Sequence, residues 1–319
     1  MQVNTVVIGA LSRKGGCGKS TALKLIASAM QQSGQKITII DTDPQGDMTR
    51  WWAQARETGN DHENVDFRIA PTDADALYDI LDEVEGVSDF VLIDTKGEGS
   101  TWLETVAAVS DIALTTVMIS RTDYELTLDI RDWFADLMKR AEPGGRLAKH
   151  YFLLSRVPPD KALTKTGQEY LDKIIKDLAV LDVEVKDRPL LIDQDALGLL
   201  GPMWERLLAS ENALERGQAL NYESLIALGY QITAALLHGK LMEKDPEKRA
   251  ELKREAAEKK AAERKKAKEE KEAKAKEARA ARAKIKAKEA RAARAQAKQA
   301  GAELASEPEV SAEAVNEQA

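Results

Sequence analysis

The glycine-rich stretch "GGCGKST" at residues 15–21 constrains this chain more than any other feature. It follows "NTVVIGAL" (4–11), a short Val- and Ile-containing run of the kind found in buried parallel strands. It leads into "STALKLIASAMQQSG" (20–34), apolar at helical spacing and closed by Gly34. Strand, glycine loop and helix in that order make a phosphate-binding loop, or P-loop. Gly15, Gly16 and Gly18 let successive backbone N–H groups turn toward phosphate oxygens. The helix that begins near Lys19 adds the positive end of its dipole. In such a loop Lys19 reaches the β- and γ-phosphates, Ser20 offers a hydroxyl to Mg2+, and Thr21 sits near the α-phosphate. Cys17 fills the variable position. A glycine turn with an unrelated lysine is the competing reading, and the strand–loop–helix context disfavours it.

The spacing is not the usual one. In G-x-x-x-x-G-K-[ST] the first glycine would fall at position 13, which is Arg here. The loop instead reads K-G-G-x-G-K-[ST]-T, with a second lysine, Lys14, ahead of the glycines.

Two further segments supply acids. "KITIIDTD" (36–43) reads as a strand that runs into "DTDPQGD" (41–47), so Asp41 and Asp43 emerge at the carboxyl edge of the sheet, where ligands bind in such folds. "FVLIDTKG" (90–97) has four apolar residues followed by Asp94, the pattern of an acid that holds Mg2+ through water. Asp43 is read as the group that orients the attacking water, and Ser20, Asp41 and Asp94 as the metal side. The sequence leaves open whether Asp41 and Asp43 exchange these roles.

Residues 1–239 alternate strands and helices throughout. Strands are also expected at 112–119 and 151–157, with weaker candidates at 65–70 and 181–185. Helices are expected at 123–141 and, as one or two closing elements, at 202–239. Alternation of this kind predicts an α/β fold: a P-loop NTPase with a mostly parallel sheet flanked by helices. The composition then changes. Residues 240–300 are nearly all Ala, Lys, Arg and Glu and carry a net +11, with "KEARAARA" at 276–283 and again at 288–295. These are strong helix formers without an apolar seam, so a long, solvated, charged helical arm is expected rather than a coiled coil. Residues 301–319 hold five Glu and no base, and read as a disordered acidic tail. The overall charge of −7 thus conceals a body (1–239) at −13. Any polyanion contact is expected on the arm or on a local patch.

Other chemistries are disfavoured. A single cysteine, Cys17, closes no intramolecular disulfide, and three histidines do not assemble a metal-ligand spacing. No secretory signal is legible, and no stretch approaches the roughly 18 apolar residues of a membrane span. A soluble cytoplasmic protein is expected. The arm's basic half has Ile285 as its one large apolar residue, so insertion into a membrane is not expected. The five tryptophans are read as packing helices onto the sheet or lining a partner surface.

Taken together, "KGGCGKST", "DTDPQGD" and "FVLIDT" resemble the ParA/MinD family of deviant Walker A ATPases, over roughly residues 1–239. The resemblance implies ATP and Mg2+ as ligands and a homodimer closed around two nucleotides. In that dimer Lys14 would cross to the partner's ATP. It also implies non-specific DNA binding, and weak hydrolysis stimulated by an activator, either ParB-like or part of a transfer apparatus. Localisation would be nucleoid-associated. Within the family, the lack of cluster cysteines disfavours iron-protein relatives. "DPQGDMTRWW" (43–52) is similar to ParA partition ATPases, which position plasmids or chromosomes. Residues 94–140 and "RVPPDKALTKTGQEYLD" (156–172) look closer to VirC-type ATPases, which assist T-DNA or conjugative transfer. "TKGEGS", which follows Asp94, departs from the usual ParA pattern. No helix-turn-helix precedes the loop, which disfavours the larger ParA class. DNA contacts are assigned only loosely, to Lys161, Lys165, Lys173, Arg188 or the arm. A metabolic P-loop enzyme is a third reading, for which no second-substrate site is legible.

Overall fold

The computed structural model describes residues 4–70, 73–96, 101–140, 148–159 and 163–259, together with 261–263, 265, 266 and 269. The chain divides into two compact units, Met1–Arg249 and Ala250–Ala319.

In the first unit the elements run β1 (Val6–Ala10), α1 (Lys19–Gln32), β2 (Ile37–Asp41), α2 (Asp47–Glu57), β3 (Val65–Ile69), α3 (Ala74–Val84), β4 (Phe90–Asp94) and α4 (Thr101–Val109). They continue with β5 (Ile112–Val117), α5 (Arg121–Arg140), β6 (Lys149–Val157), α6 (Lys165–Asp177), β7 (Val180–Lys186), α7 (Leu190–Leu197), α8 (Leu200–Ala209) and α9 (Ala213–His238). Every strand expected from the sequence is present, the two weaker candidates included. The closing segment is two helices, with α8 starting slightly before the expected boundary.

The strands form one parallel sheet in the order β3-β2-β4-β1-β5-β6-β7. The uninterrupted apolar runs have a direct cause: both faces are covered. Along β4, Phe90 and Leu92 join the core beneath α1, α8 and α9, whereas Val91 and Ile93 join the core under α3 and α4. Near the β6–β7 edge, Phe152 and Leu154 pack with Leu171, Ile174 and Ile175 of α6.

Helix α1 sits unusually close to α9. A Cβ placed on Gly229 would lie 2.2 Å from the Leu25 carbonyl oxygen, so only a glycine admits this approach without displacement. The first unit extends past Gly239. Met242 N–H donates to Val180 O, and Arg249 pairs with Asp172 of α6, which ties residues 240–249 to the sheet edge.

Of the second unit, the described residues between Ala250 and Glu269 are helical and exposed. The remainder of the basic arm, the acidic tail and Lys161 lie outside the described residues.

Candidate functional site

Strand β1 lies between β4 and β5, so the loop after it opens at the carboxyl edge of the sheet's centre. Gly16 and Gly18 have φ of 74° and 93°, left-handed values that glycine takes without penalty. Gly18 is the N-cap of α1 and gives no side-chain cap, and the first turn holds no acid. The leading N–H groups of α1 are thus left for an anion. Ser155 of β6 braces the loop: its hydroxyl donates to Cys17 O at 2.6 Å. Cys17 itself is buried, with Sγ 3.2 Å from Ser12 Oγ. Gly15 has open space around it.

Lys19 is buried at the start of α1. One residue on, Ser20 Oγ donates to Asp94 Oδ2 at 2.7 Å. The fold thus brings these two candidates into direct contact. Asp94 ends β4, is 2% exposed, and its other oxygen, Oδ1, is buried without a hydrogen-bond partner among the described residues. Burial raises its pKa from 3.8 to about 6; the Ser20 hydrogen bond and the Lys19 charge act in the opposite direction, and neighbouring Asp41 adds to the rise.

Asp41 and Asp94 face each other across the β2–β4 register. Asp41 is also buried, yet both of its oxygens are engaged. Oδ2 accepts from Thr49 N–H (2.8 Å) and Thr49 Oγ (2.6 Å), and Oδ1 accepts from Asp43 N–H (3.0 Å). Its carboxylate thus shapes the turn into α2. Asp43 stands half-exposed in that turn, with Oδ1 accepting from Gln45 N–H at 2.8 Å.

Lys14 is placed differently from its neighbours. Its Nζ reaches Asp123 Oδ1, 2.7 Å away at the start of α5, in the same chain. Arg13 lies over the Trp133 ring of α5, 5.8 Å from its centroid. Both basic residues ahead of the glycines are thus held by one helix.

A cavity of about 490 Å3 adjoins the loop at Gly18 and Thr21. Its walls include Arg156 from the end of β6, the segment 185–189, and Leu191, Ile192 and Asp195 of α7. Helix α7 is anchored on two sides. Trp51 Nε1–H of α2 donates to Gln194 O at 2.9 Å, and Lys24 Nζ, a turn below the loop in α1, pairs with Asp195 at 2.5 Å. Among the other DNA-contact candidates, Lys165 and Lys173 are exposed on α6, Lys173 over the Tyr170 ring, and Arg188 lines the cavity instead.

Asp123, Arg156 and the Lys24–Asp195 pair were not singled out by sequence reading. Asp123 sits over a hundred positions from Lys14, and no local pattern marks it. Lys24 did carry a signal, as a lysine on the apolar face of α1.

Comparison with known proteins gives the family. The model of the family described as "VirC1 protein" matches residues 4–239. A virC1 protein of Rhizobium radiobacter is 28% identical over 195 residues, covering 59% of this chain and 80% of that protein. One of Rhizobium rhizogenes is 25% identical over 229 residues, 70% and 96% of the two chains. Among solved structures, an ATP complex of a Cyanothece McdA variant is similar, with a TM-score of 0.54 and 13% identity, covering 73% of this chain and 96% of that one. The last likeness concerns the fold. A loop of the K-G-G-x-G-K form, the paired acids and the family match converge: the chain belongs to the VirC1 family and has the fold of ParA/MinD-type P-loop proteins.

Proposed function

We propose that the chain is an Mg2+-dependent ATP hydrolase whose nucleotide state controls pairing with a second copy and binding to DNA, in the service of DNA transfer. The observation that supports nucleotide and metal binding is the Ser20–Asp94 pair, with Asp94 Oδ1 buried and without a partner among the described residues, beneath an uncapped helix start. An orphaned buried carboxylate oxygen beside a hydroxyl fits a hard cation, which favours oxygen ligands and keeps several waters. Among the described residues no cluster of three acidic, His or Cys side chains forms a closed metal cage, and Mg2+ held through water and phosphate needs none. Ser20 and Asp94 would hold Mg2+, which when bound offsets charge on the phosphates.

The chain's own residues then divide the work. Amides of the glycine loop and of the first turn of α1 bind the phosphates, and Lys19 neutralises their charge. Asp41 is committed to the turn, which leaves Asp43 at its mouth to orient the attacking water. The cavity beside Gly18 and Thr21 takes the nucleoside. Lys14, freed from Asp123, would reach the partner's triphosphate and make pairing depend on ATP.

The VirC1 match favours an accessory role in T-DNA or conjugative transfer, with an activator in the transfer machinery; plasmid or chromosome partitioning is the second reading of the same chemistry. Two measurements test this. Light scattering should show a mass that doubles with ATP in the wild type and stays monomeric in Lys14→Ala; doubling in the variant refutes the trans role. Gel shifts with ATP, ADP or no nucleotide should favour an origin or border sequence over random DNA. Equal binding to both favours partitioning.

A further inference from the structure

Helix α9 turns an apolar line to solvent. Leu220, Glu223, Ala227, Tyr230, Ala234 and Leu237 follow one another at steps of three and four residues, and five of the six are apolar. That is the seam spacing of two helices packed side by side. The chain's own core makes little use of the line. Helix α9 enters the core through Leu225, Ile232 and Leu236, whereas Leu220 is 66% exposed, Leu237 is 40% exposed, and Ala227 and Ala234 are also exposed. Tyr230, half-buried, edges an apolar groove of about 240 Å3. Its other walls are Gln32 of α1, Trp204 of α8, and Glu223, Ile226 and Ala227 of α9.

Shape and charge along α9 select the occupant. About a two-fold axis between Ala227 and Tyr230, an antiparallel second copy sets its Leu237 against Leu220, its Ala234 against Glu223 and its Tyr230 against Ala227. Large side chains then meet small ones, and the copy's Tyr230 enters the groove beside Ala227. The charges are graded in the same sense. Glu211, Glu215 and Glu223, with Arg216 as the one base, stand exposed in the first half of the helix or just before it. His238 and Lys240 are exposed at its end, Lys240 also pairing with Asp182 at 3.0 Å. An antiparallel copy brings the acidic half of each helix beside the basic end of the other and opposes the two dipoles. A parallel copy would stack Glu223 on Glu223. The seam is about 27 Å long and one helix wide, which places it among small, weak interfaces. We propose that α9 is the docking face for α9 of a second copy, antiparallel and independent of nucleotide. This contact is separate from the ATP-dependent pairing through Lys14.

The test is sedimentation equilibrium on the full chain without nucleotide, so that failure of the ATP reading does not touch it. The wild type should pass from monomer to dimer at roughly 10–100 µM chain. Ala227→Arg puts a charge in the middle of the seam at an exposed position and should weaken the dimer at least about tenfold. Cross-linking fixes the direction. In the antiparallel pair Leu220→Cys lies about 25 Å from its own twin but opposite Leu237→Cys of the other copy. An oxidised mixture of the two variants should therefore give roughly fivefold more disulfide-linked dimer than either variant alone. A wild type that stays monomeric overturns the proposal in favour of a different occupant. So does an Ala227→Arg variant that associates as the wild type does, or a Leu220→Cys variant that links to itself as readily as the mixture. Should Ala227→Arg not fold, the cross-linking decides alone.

Discussion

Lys14 Nζ and Asp123 Oδ1 stand 2.7 Å apart, so the loop's second lysine is bound by its own chain. The carboxylate is 3% exposed and the lysine 35%. Asp123 Oδ2 also accepts from Met118 N–H at 2.5 Å, which fixes it at the start of α5. Any reach of Lys14 toward a second subunit first breaks this pair and leaves a buried charge behind. Under the proposed trans role of Lys14, the salt bridge would oppose pairing until a triphosphate outcompetes it.

Asp123→Asn weakens the tether without altering its shape. The isolated chain should lose about 1–3 kcal/mol of stability, and its ATP-dependent dimer should form at roughly tenfold lower protein concentration. Sedimentation velocity across a concentration series reads the second effect. An unchanged or weaker dimer would show that Lys14 does not leave Asp123.

The Asp94 carboxyl, raised by burial from 3.8 to about 6, sets a pH dependence. A carboxyl whose folded pKa is raised favours the folded state while protonated, so its contribution to nucleotide-free stability declines as pH rises from about 4 through 6. Metal binding needs the ionised form and follows the opposite course. Mg2+-dependent ATP affinity should thus climb through about pH 6 and level off above it. Asp94→Asn should abolish that climb in a fluorescence titration, and a persisting climb would assign it to another group.

His150 works against the fold in acid. Its ring lies between Phe134 and Phe152, at 4.5 and 4.3 Å, and burial lowers its pKa from 6.5 to about 3. A depressed folded pKa means that stability is fully present above 6.5 and is lost as pH falls toward 3. His150→Phe should flatten this part of the urea-unfolding profile, even though it gives up the 2.9 Å contact with Thr115 Oγ.

Gly229→Ala probes the α1–α9 contact. An alanine in mid-helix gains about 0.5–1 kcal/mol of propensity, but its Cβ would meet the Leu25 carbonyl oxygen at 2.2 Å and Ala29 Cβ at 2.7 Å. The clash should dominate, with a net loss of about 1–3 kcal/mol measured by thermal unfolding. A neutral result would mean that α9 shifts freely along α1.

How far the molecule was legible in its sequence depends on distance along the chain. The β1–loop–α1 unit and the β4 acid are local patterns, and they mark Ser20 and Asp94 as candidates without any knowledge of the fold. Five strands were readable as short apolar runs closed by turn residues; β3 and β7, interrupted by Asp66, Arg68, Asp182 and Glu184, gave weaker signals. What was missed is what the fold brings together. Asp123 meets Lys14 only because β5 lies beside β1, and nothing near residue 123 announces it. Arg156 looks like an ordinary strand-end cation until the fold places it on the wall of one cavity with Gly18 and Thr21. Asp41 carried a metal-side expectation; its two oxygens bond to Thr49 and Asp43, a contact set that its motif did not reveal.

The Trp51–Gln194 hydrogen bond carries one more implication. Helix α2 begins at the acidic turn and α7 walls the cavity beside the glycine loop, and this indole spans the two. A γ-phosphate that displaces the turn would draw on α7 through that bond, like a lever whose fulcrum is a tryptophan. Spending the fuel and loosening the grip on its spent form would then be two readings of the same stroke, and the emission of Trp51 would change colour as it happens.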